Sequence, residues 1–393
     1  MAKRNHLIIL IVTLGVFGIL STEMGVIGIL PSIAEHFGVS ISKAGWLVSF
    51  FALAVAVSGP ILPLLLSGIN RKKVMLLVLG VFVLGNLVSI FINNFTLALV
   101  ARVIPALFHP VYCSLAFTVA AGSVSQEEAP KAISKVFIGV SAGMVIGVPI
   151  ASFIESTLSL QMAMVCFAAV NLVVFLATFL FVPSMPVKER QSYGVQLAIL
   201  AKPVTWISIS AIILLNSAIF GVYSYLAEYL TKVTNISANA ITIMLFLYGG
   251  ANIIGNVVSG RLLTNNAMKS IVTFPLVTGA VYILLFFFGQ FSIPMAIITL
   301  IWGILAGIGA NMNQYLMMSA APEAPDFANG LFLSSCNIGT TLGAAVGGLF
   351  ISIMGTPYVV LVGLLSLVIS FATILLRNVM LTRSQLLSSY RIM

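Results

Sequence analysis

The sequence predicts an all-α membrane protein with twelve transmembrane helices in two six-helix, pseudo-symmetric bundles. Three observations lead there. Apolar residues make up 60% of the 393 and charged residues 7%. A soluble domain carries roughly 25% charged residues, so this chain cannot cover itself against water. Apolar stretches close to the ~20 residues that cross a hydrocarbon core recur along the whole length. Features of the second half also echo the first at a fixed offset.

The first span, 7–30, follows Lys3 and Arg4 and so begins like a secretory leader. The apolar run is too long for a leader and has no small-residue cleavage site, which makes it a retained helix. Charges and Gly/Pro breaks then set spans at 44–66, 74–94, 96–120, 132–154, 162–183, 205–227, 239–262, 270–290, 293–318, 328–352 and 357–376. The longest connection, 184–203, separates an N-terminal bundle, 1–183, from a C-terminal bundle, 204–393.

A net charge of +9 raises the question of nucleic acid, but the basic residues sit in short loops between apolar spans. On the N-terminal side stand Lys3, Arg4, Arg71, Lys72, Lys73, Lys131, Lys135, Lys188, Arg190, Lys202, Arg261, Lys269, Arg377, Arg383 and Arg391. The other side carries only Lys43 and Lys232, and Arg102 falls inside a span. This bias places both termini in the cytoplasm of an inner membrane and excludes a nucleic-acid partner. The partners expected are the lipid bilayer, protons and a small-molecule substrate, with the chain a monomer. Cys113, Cys166 and Cys336 are single residues in apolar runs and form no disulfide or metal pattern. With no nucleophile–base set, metal cluster or phosphate-cradling loop, neither catalysis nor a cofactor is expected.

At an offset of 196 residues, Gly59 falls on Gly255, Lys73 on Lys269, and Gly143 and Gly147 on Gly339 and Gly343. Six helices return the chain to its starting side, so the two copies share one orientation. In the fifth span Gly139, Gly143 and Gly147 recur every four residues, which lets a neighbouring backbone approach closely. Pro149 bends or loosens the same helix. Gly339, Gly343 and Gly347 repeat the spacing in the eleventh span.

Glu23 is the only charge between Leu7 and Leu30. A carboxylate there costs about 2.5–3.5 kcal/mol on insertion scales, so its retention implies a use. Arg102 lies about as deep in the fourth span, roughly 10 Å from the end at 1.5 Å per residue. Opposite charges at one depth are expected to pair or to share a watery cavity. The pair is either structural or a switch that a proton on Glu23 opens. His109, a turn or two further in, either relays protons or binds substrate, or is a packed residue bonded to a carbonyl. Asn311, Gln314 and Asn337 are amides in apolar spans, either joining helices or lining a substrate cavity. With few formal charges to meet it, the substrate is expected to be neutral or cationic. Glu128, three residues after Ser125, predicts a capping box for the fifth span.

The ordered segments STEMGVIGILPSIAEHFGVS, SGPILPLLLSGINRKK, ARVIPALFHP and GVSAGMVIGVPIA resemble arabinose-efflux-like members of the drug:proton antiporter branch of the major facilitator superfamily. FGVYSYLAEYLTKVTNIS and CNIGTTLGAAVGG extend the likeness over nearly the full length. The resemblance implies the major facilitator fold, with a substrate site near the midplane between parallel six-span halves. It also implies proton-driven export of sugars, nucleosides or drugs. The first-span acid of the family falls on Glu23, the fourth-span arginine on Arg102 and the fifth-span proline on Pro149, inside a Gly-Val-Pro antiporter motif. Gly59, Arg71, Lys72 and Lys73 match the conformational loop after the second span, although Ser67 stands where relatives commonly carry aspartate. The basic cluster is equally compatible with an ordinary positive-inside loop. LSLQMA, 158–163, departs from the aromatic and arginine that often follow the fifth span. Uptake symport, uniport and a non-transporting membrane sensor are the alternatives of the same architecture.

Overall fold

The computed structural model describes residues 2–39, 41–44, 46–187 and 193–390. Lys188, Arg190 and Arg391, counted above among the loop cations, lie outside them. The described residues form helices and no strand. In order these are α1 (Ala2–Gly28), α2 (Leu30–Phe37), α3 (Ile41–Ala44), α4 (Trp46–Ser58), α5 (Leu62–Leu66), α6 (Arg71–Phe91), α7 (Phe95–Gly122) and α8 (Ala129–Thr157). There follow α9 (Leu160–Phe181), α10 (Tyr193–Leu197), α11 (Pro203–Tyr223), α12 (Leu226–Lys232), α13 (Ala238–Phe288), α14 (Ser292–Ala320), α15 (Pro325–Met354) and α16 (Val359–Tyr390).

Ten stretches of the described residues are long and apolar enough to cross a membrane. One of them, 240–288, is two helices joined at Asn266, whose φ of −159° and ψ of 82° are non-helical. Asn266 then caps the second piece by accepting from the Lys269 amide at 3.0 Å. The second span divides into α4 and α5 at Gly59–Pro60, where proline removes a donor and disfavours helix in the residue before it. Splitting 240–288 gives eleven, and the α4–α5 span, whose break leaves α4 too short to stand among the ten, makes twelve among the described residues.

Local chemistry sets the helix starts. Asn70 accepts from the amides of Lys72 and Lys73 at the head of α6, and Asn94 from those of Thr96 and Leu97 at the head of α7. Ser159 caps α9 in the same way. The capping box expected at Ser125 does not form. Glu128 is itself the residue before α8 and makes no side-chain cap, because a proline in the first turn moves the helix start to Ala129.

The chain clusters into two units, Met1–Tyr193 with Pro325–Gly330, and Gly194–Ala324 with Leu331–Met393. The first turn and a half of α15 therefore belongs with unit 1. There Ser114 Oγ donates to the Asp326 carbonyl at 2.9 Å and Thr118 Oγ1 to its carboxylate at 2.8 Å.

In unit 1, α8 packs on α1 through the glycine stripe. A Cβ on Gly143 would stand 2.6 Å from Leu20 Cβ and 3.0 Å from the Phe17 carbonyl, and one on Gly147 2.9 Å from Ser21 Cα. In unit 2, α15 packs on α11 in the same manner. A Cβ on Gly339 would meet the Ile213 carbonyl at 2.5 Å, and one on Gly343 would lie 2.8 Å from Ser217 Cα. Ser21 and Ser217 are themselves related by the offset of 196. The repeat thus extends from glycine spacing to the residues the glycines touch. Gly59 and Gly255 diverge: Gly59 sits at the α4–α5 break, whereas Gly255 lies within α13 against the Ile304 carbonyl of α14.

Arg377 corrects the loop assignment. It lies in α16 and is 1% exposed. Its guanidinium donates to Ser208 Oγ at 2.8 Å, the Leu316 carbonyl at 2.8 Å and Ser319 Oγ at 2.5 Å, tying α16 to α11 and α14.

Candidate functional site

The site lies in unit 1 where α1, α4 and α7 meet. α1 carries Thr22 and Glu23, α4 carries Leu47 and Phe51, and α7 carries Arg102, His109 and Cys113. Residues 102 and 109 are seven apart, close to two helical turns, so they share a face of α7. α7 contains Pro105 and Pro110. Proline cannot donate to the carbonyl four residues earlier, so both turns are loosened beside the site.

The expected pairing of Glu23 with Arg102 is not the arrangement found. The Glu23 carboxylate approaches His109 Nε2 at 3.3 Å, an ion-pair distance without hydrogen-bond alignment. Arg102 instead grips main chain: Nη2 donates to the Glu23 carbonyl at 2.7 Å, Nη1 to the Thr22 carbonyl at 3.2 Å and Nε to the Leu47 carbonyl at 3.2 Å. Phe51 touches both basic neighbours of the acid. Its ring carries the guanidinium 5.0 Å above its centroid and meets the His109 ring edge-on at 6.1 Å. Equal depth brings the two charges to one level, and rotation about α1 aims the carboxylate away from the arginine.

His109 Nε2 also lies 3.7 Å from Cys113 Sγ, and Nδ1 has no hydrogen-bond partner among the described residues. The His109 side chain is 7% exposed and that of Glu23 17%. The acid is therefore the more open member of the pair. Chemically the arrangement is a carboxyl and an imidazole able to pass one proton between them, beside an arginine that fixes the α1 backbone.

Behind Glu23, Thr22 organises a polar cluster that the sequence reading missed. Asn171 Nδ2 donates to Thr22 Oγ1 at 2.9 Å and Asn86 Nδ2 does so at 3.3 Å, while Thr22 Oγ1 donates to the Gly18 carbonyl at 3.0 Å. The available signal was an amide alone in each of two apolar spans.

The amides of the second half are placed differently. Asn311, 1% exposed, donates to Asn256 Oδ1 at 2.8 Å and joins α14 to α13, the interhelical alternative of its two readings. Gln314 is 2% exposed. Asn337 turns back on its own helix to the Leu333 carbonyl at 2.9 Å. The basic cluster expected in the loop after the second span forms the first turn of α6, where Lys72 Nζ donates to the Phe179 carbonyl at 2.8 Å and the Arg71 amide to the Met185 carbonyl at 3.1 Å. Lys73 is exposed. Ser67 Oγ donates to the Leu64 carbonyl at 2.7 Å. A Cβ on Gly330 would collide with the Gly59 carbonyl. Pro149 lies inside α8, which continues through it.

Two six-span halves with matching helix contacts, and a half-buried acid on the first span, describe a polytopic helical membrane protein. The chain belongs to the Major Facilitator Superfamily, whose family model matches residues 12–334. It is 28% identical over 356 residues to the inner membrane transport protein YdhP of Escherichia coli K12, covering 90% of this chain and 92% of that one. It is 26% identical over 356 residues to a probable sugar efflux transporter of Helicobacter acinonychis, covering 90% and 91%. Among solved structures, the human organic anion transporter MFSD10 (TETRAN) aligns with a TM-score of 0.79 at 15% identity, covering 94% of this chain and 99% of that one. FucP in the outward conformation gives 0.75 at 16%, covering 93% and 97%. At those identities the structural likeness concerns the fold.

Proposed function

We propose that the protein is a proton-coupled exporter of a small organic solute of the sugar, nucleoside or drug class, working by alternating access and H+ antiport. The observation that carries this reading is the Glu23–His109 contact at 3.3 Å with 17% of the Glu23 side chain exposed. Likeness to a probable sugar efflux transporter of Helicobacter supports the direction of transport. A carboxylate attracts the imidazole ring, whereas a protonated Glu23 no longer carries the charge that holds this geometry. Glu23 takes its proton from the outer side and releases it inside, where cytoplasmic solute then binds. Arg102 ties its carbonyl grip on residues 22 and 23 to the same stretch of α1, so a change at Glu23 is felt by the α1–α4–α7 junction. The chain works as a monomer in the inner membrane with both termini in the cytoplasm, driven by the proton gradient alone.

The test is solute-induced proton release from purified protein in weakly buffered detergent, screened across sugars, nucleosides and lipophilic drugs. Wild type releases protons with its solute, whereas Glu23→Gln binds the solute without release. Equal release from both proteins overturns the assignment of Glu23, and proton uptake with solute overturns antiport.

A further inference from the structure

A cleft of about 680 Å3, mouth included, opens inside unit 1 at the end of the bundle remote from the N-terminus. It enters past Phe37 and Ile90 and descends about one turn along α6 and α7 to Asn86 and Arg102. Phe37, Phe82 and Met164 give it apolar walls, and none of its lining residues is a carboxylate.

The cation at the bottom is only partly served. Arg102 has five N–H groups in a planar fork, and three are used on main-chain carbonyls. Among the described residues no carboxylate pairs with it, and Glu23 turns to His109 instead. Carbonyl dipoles, the Phe51 ring face and the nearby charge of Glu23 stabilise the guanidinium, but no carboxylate touches its fork. A pocket that is apolar along its sides and cationic at its floor complements a ligand of the opposite pattern.

We propose that this cleft binds a small amphipathic organic anion, its carboxylate or sulfonate on the free edge of Arg102 and its apolar body between Phe37, Phe82 and Met164. The cleft shares Thr22, Leu47, Phe51 and Arg102 with the junction that holds the Glu23–His109 contact, but neither Glu23 nor His109 lines it, and its occupancy does not depend on which solute the protein exports. A cation is opposed by the guanidinium. A neutral molecule of the same shape gains the walls and not the charge-assisted hydrogen bonds.

The test is calorimetric titration of the full chain in lipid nanodiscs with three probes of one shape: 2-naphthoate, 2-naphthalenemethanol and 2-naphthylmethylammonium. Naphthoate is expected to bind about tenfold or more tighter than the alcohol, with the ammonium weakest. Arg102→Gln is expected to erase the difference between naphthoate and the alcohol. Ser89→Trp, which fills the neck of the cleft and leaves Arg102 in place, is expected to weaken naphthoate by about tenfold or more; should Arg102→Gln fail to fold, this variant and the probe series decide. Equal affinity for anion and alcohol, an anion preference surviving in Arg102→Gln, or wild-type affinity in Ser89→Trp each overturns the proposal.

Discussion

The Glu23 carboxylate stands 3.3 Å from His109 Nε2. That contact joins α1 to α7 through two ionisable groups, in a region where neither has an abundant choice of partners. Arg102, at the same level, holds the main chain of α1 and leaves the carboxylate to the imidazole.

Exchange of His109 separates the relay role from simple packing. His109→Phe keeps an aromatic ring against Phe51 and removes both ring nitrogens. The rate of solute-induced proton release is expected to fall by about tenfold or more, since a positioned acid–base group contributes roughly 10²–10⁴-fold to proton-transfer rates. His109→Gln keeps a donor and is expected to lose less. Equal, wild-type release from both variants assigns His109 to packing alone.

Substitution along the glycine stripe tests the α1–α8 contact. Gly143→Leu places a side chain where even Cβ lies 2.6 Å from Leu20. Overpacking costs typically ~1–3 kcal/mol, seen as a lower Tm by fluorescence-monitored unfolding. Gly279→Ala is the control: nothing lies within 4 Å of its Cβ position inside α13. Its Tm is expected to rise, because alanine in a helix interior is favoured over glycine by roughly 0.5–1 kcal/mol.

Arg377→Ala removes the clasp between α16, α11 and α14. The Leu316 carbonyl and the hydroxyls of Ser208 and Ser319 lose their donor, and an unsatisfied buried polar group costs about 1–3 kcal/mol. Arg377→Lys is expected to recover only part of the loss, since an ammonium lacks the planar fork that reaches all three. Identical Tm values for Lys and Arg would mean that charge alone matters at this position.

The Thr22 cluster gives a fourth expectation. Asn171→Leu takes away the 2.9 Å bond to Thr22 and the bond to the Phe167 carbonyl in a site that is 0% exposed. A fall in Tm corresponding to about 1–3 kcal/mol is expected, with Thr22→Val smaller because its partner Asn171 retains two carbonyl contacts.

Span positions and the glycine faces were legible in the sequence because they follow from apolar length and from a four-residue period. The level of Glu23 and Arg102 was legible too, since rise per residue fixes depth. Their pairing was not, because depth says nothing about rotation, and an arginine reaches backbone oxygens as readily as carboxylates. Arg377 was misread for a related reason: a cation at a span end resembles a loop residue until α16 is seen to run past it to Tyr390. The box at Ser125 failed because Pro130 overrides a side-chain cap.

Carrying the offset of 196 through the site gives Ile219 for Glu23, Ile298 for Arg102 and Leu305 for His109. All three are buried hydrophobes. Thr22 and Asn86 become Ala218 and Tyr282, whose hydroxyl donates to the Ala218 carbonyl at 2.8 Å, so the two helices stay bonded by new chemistry. The joinery recurs in both halves, whereas the ionisable set stands in the first alone. Grafting Glu, Arg and His at 219, 298 and 305 is the direct way to ask whether scaffold or charge makes the difference.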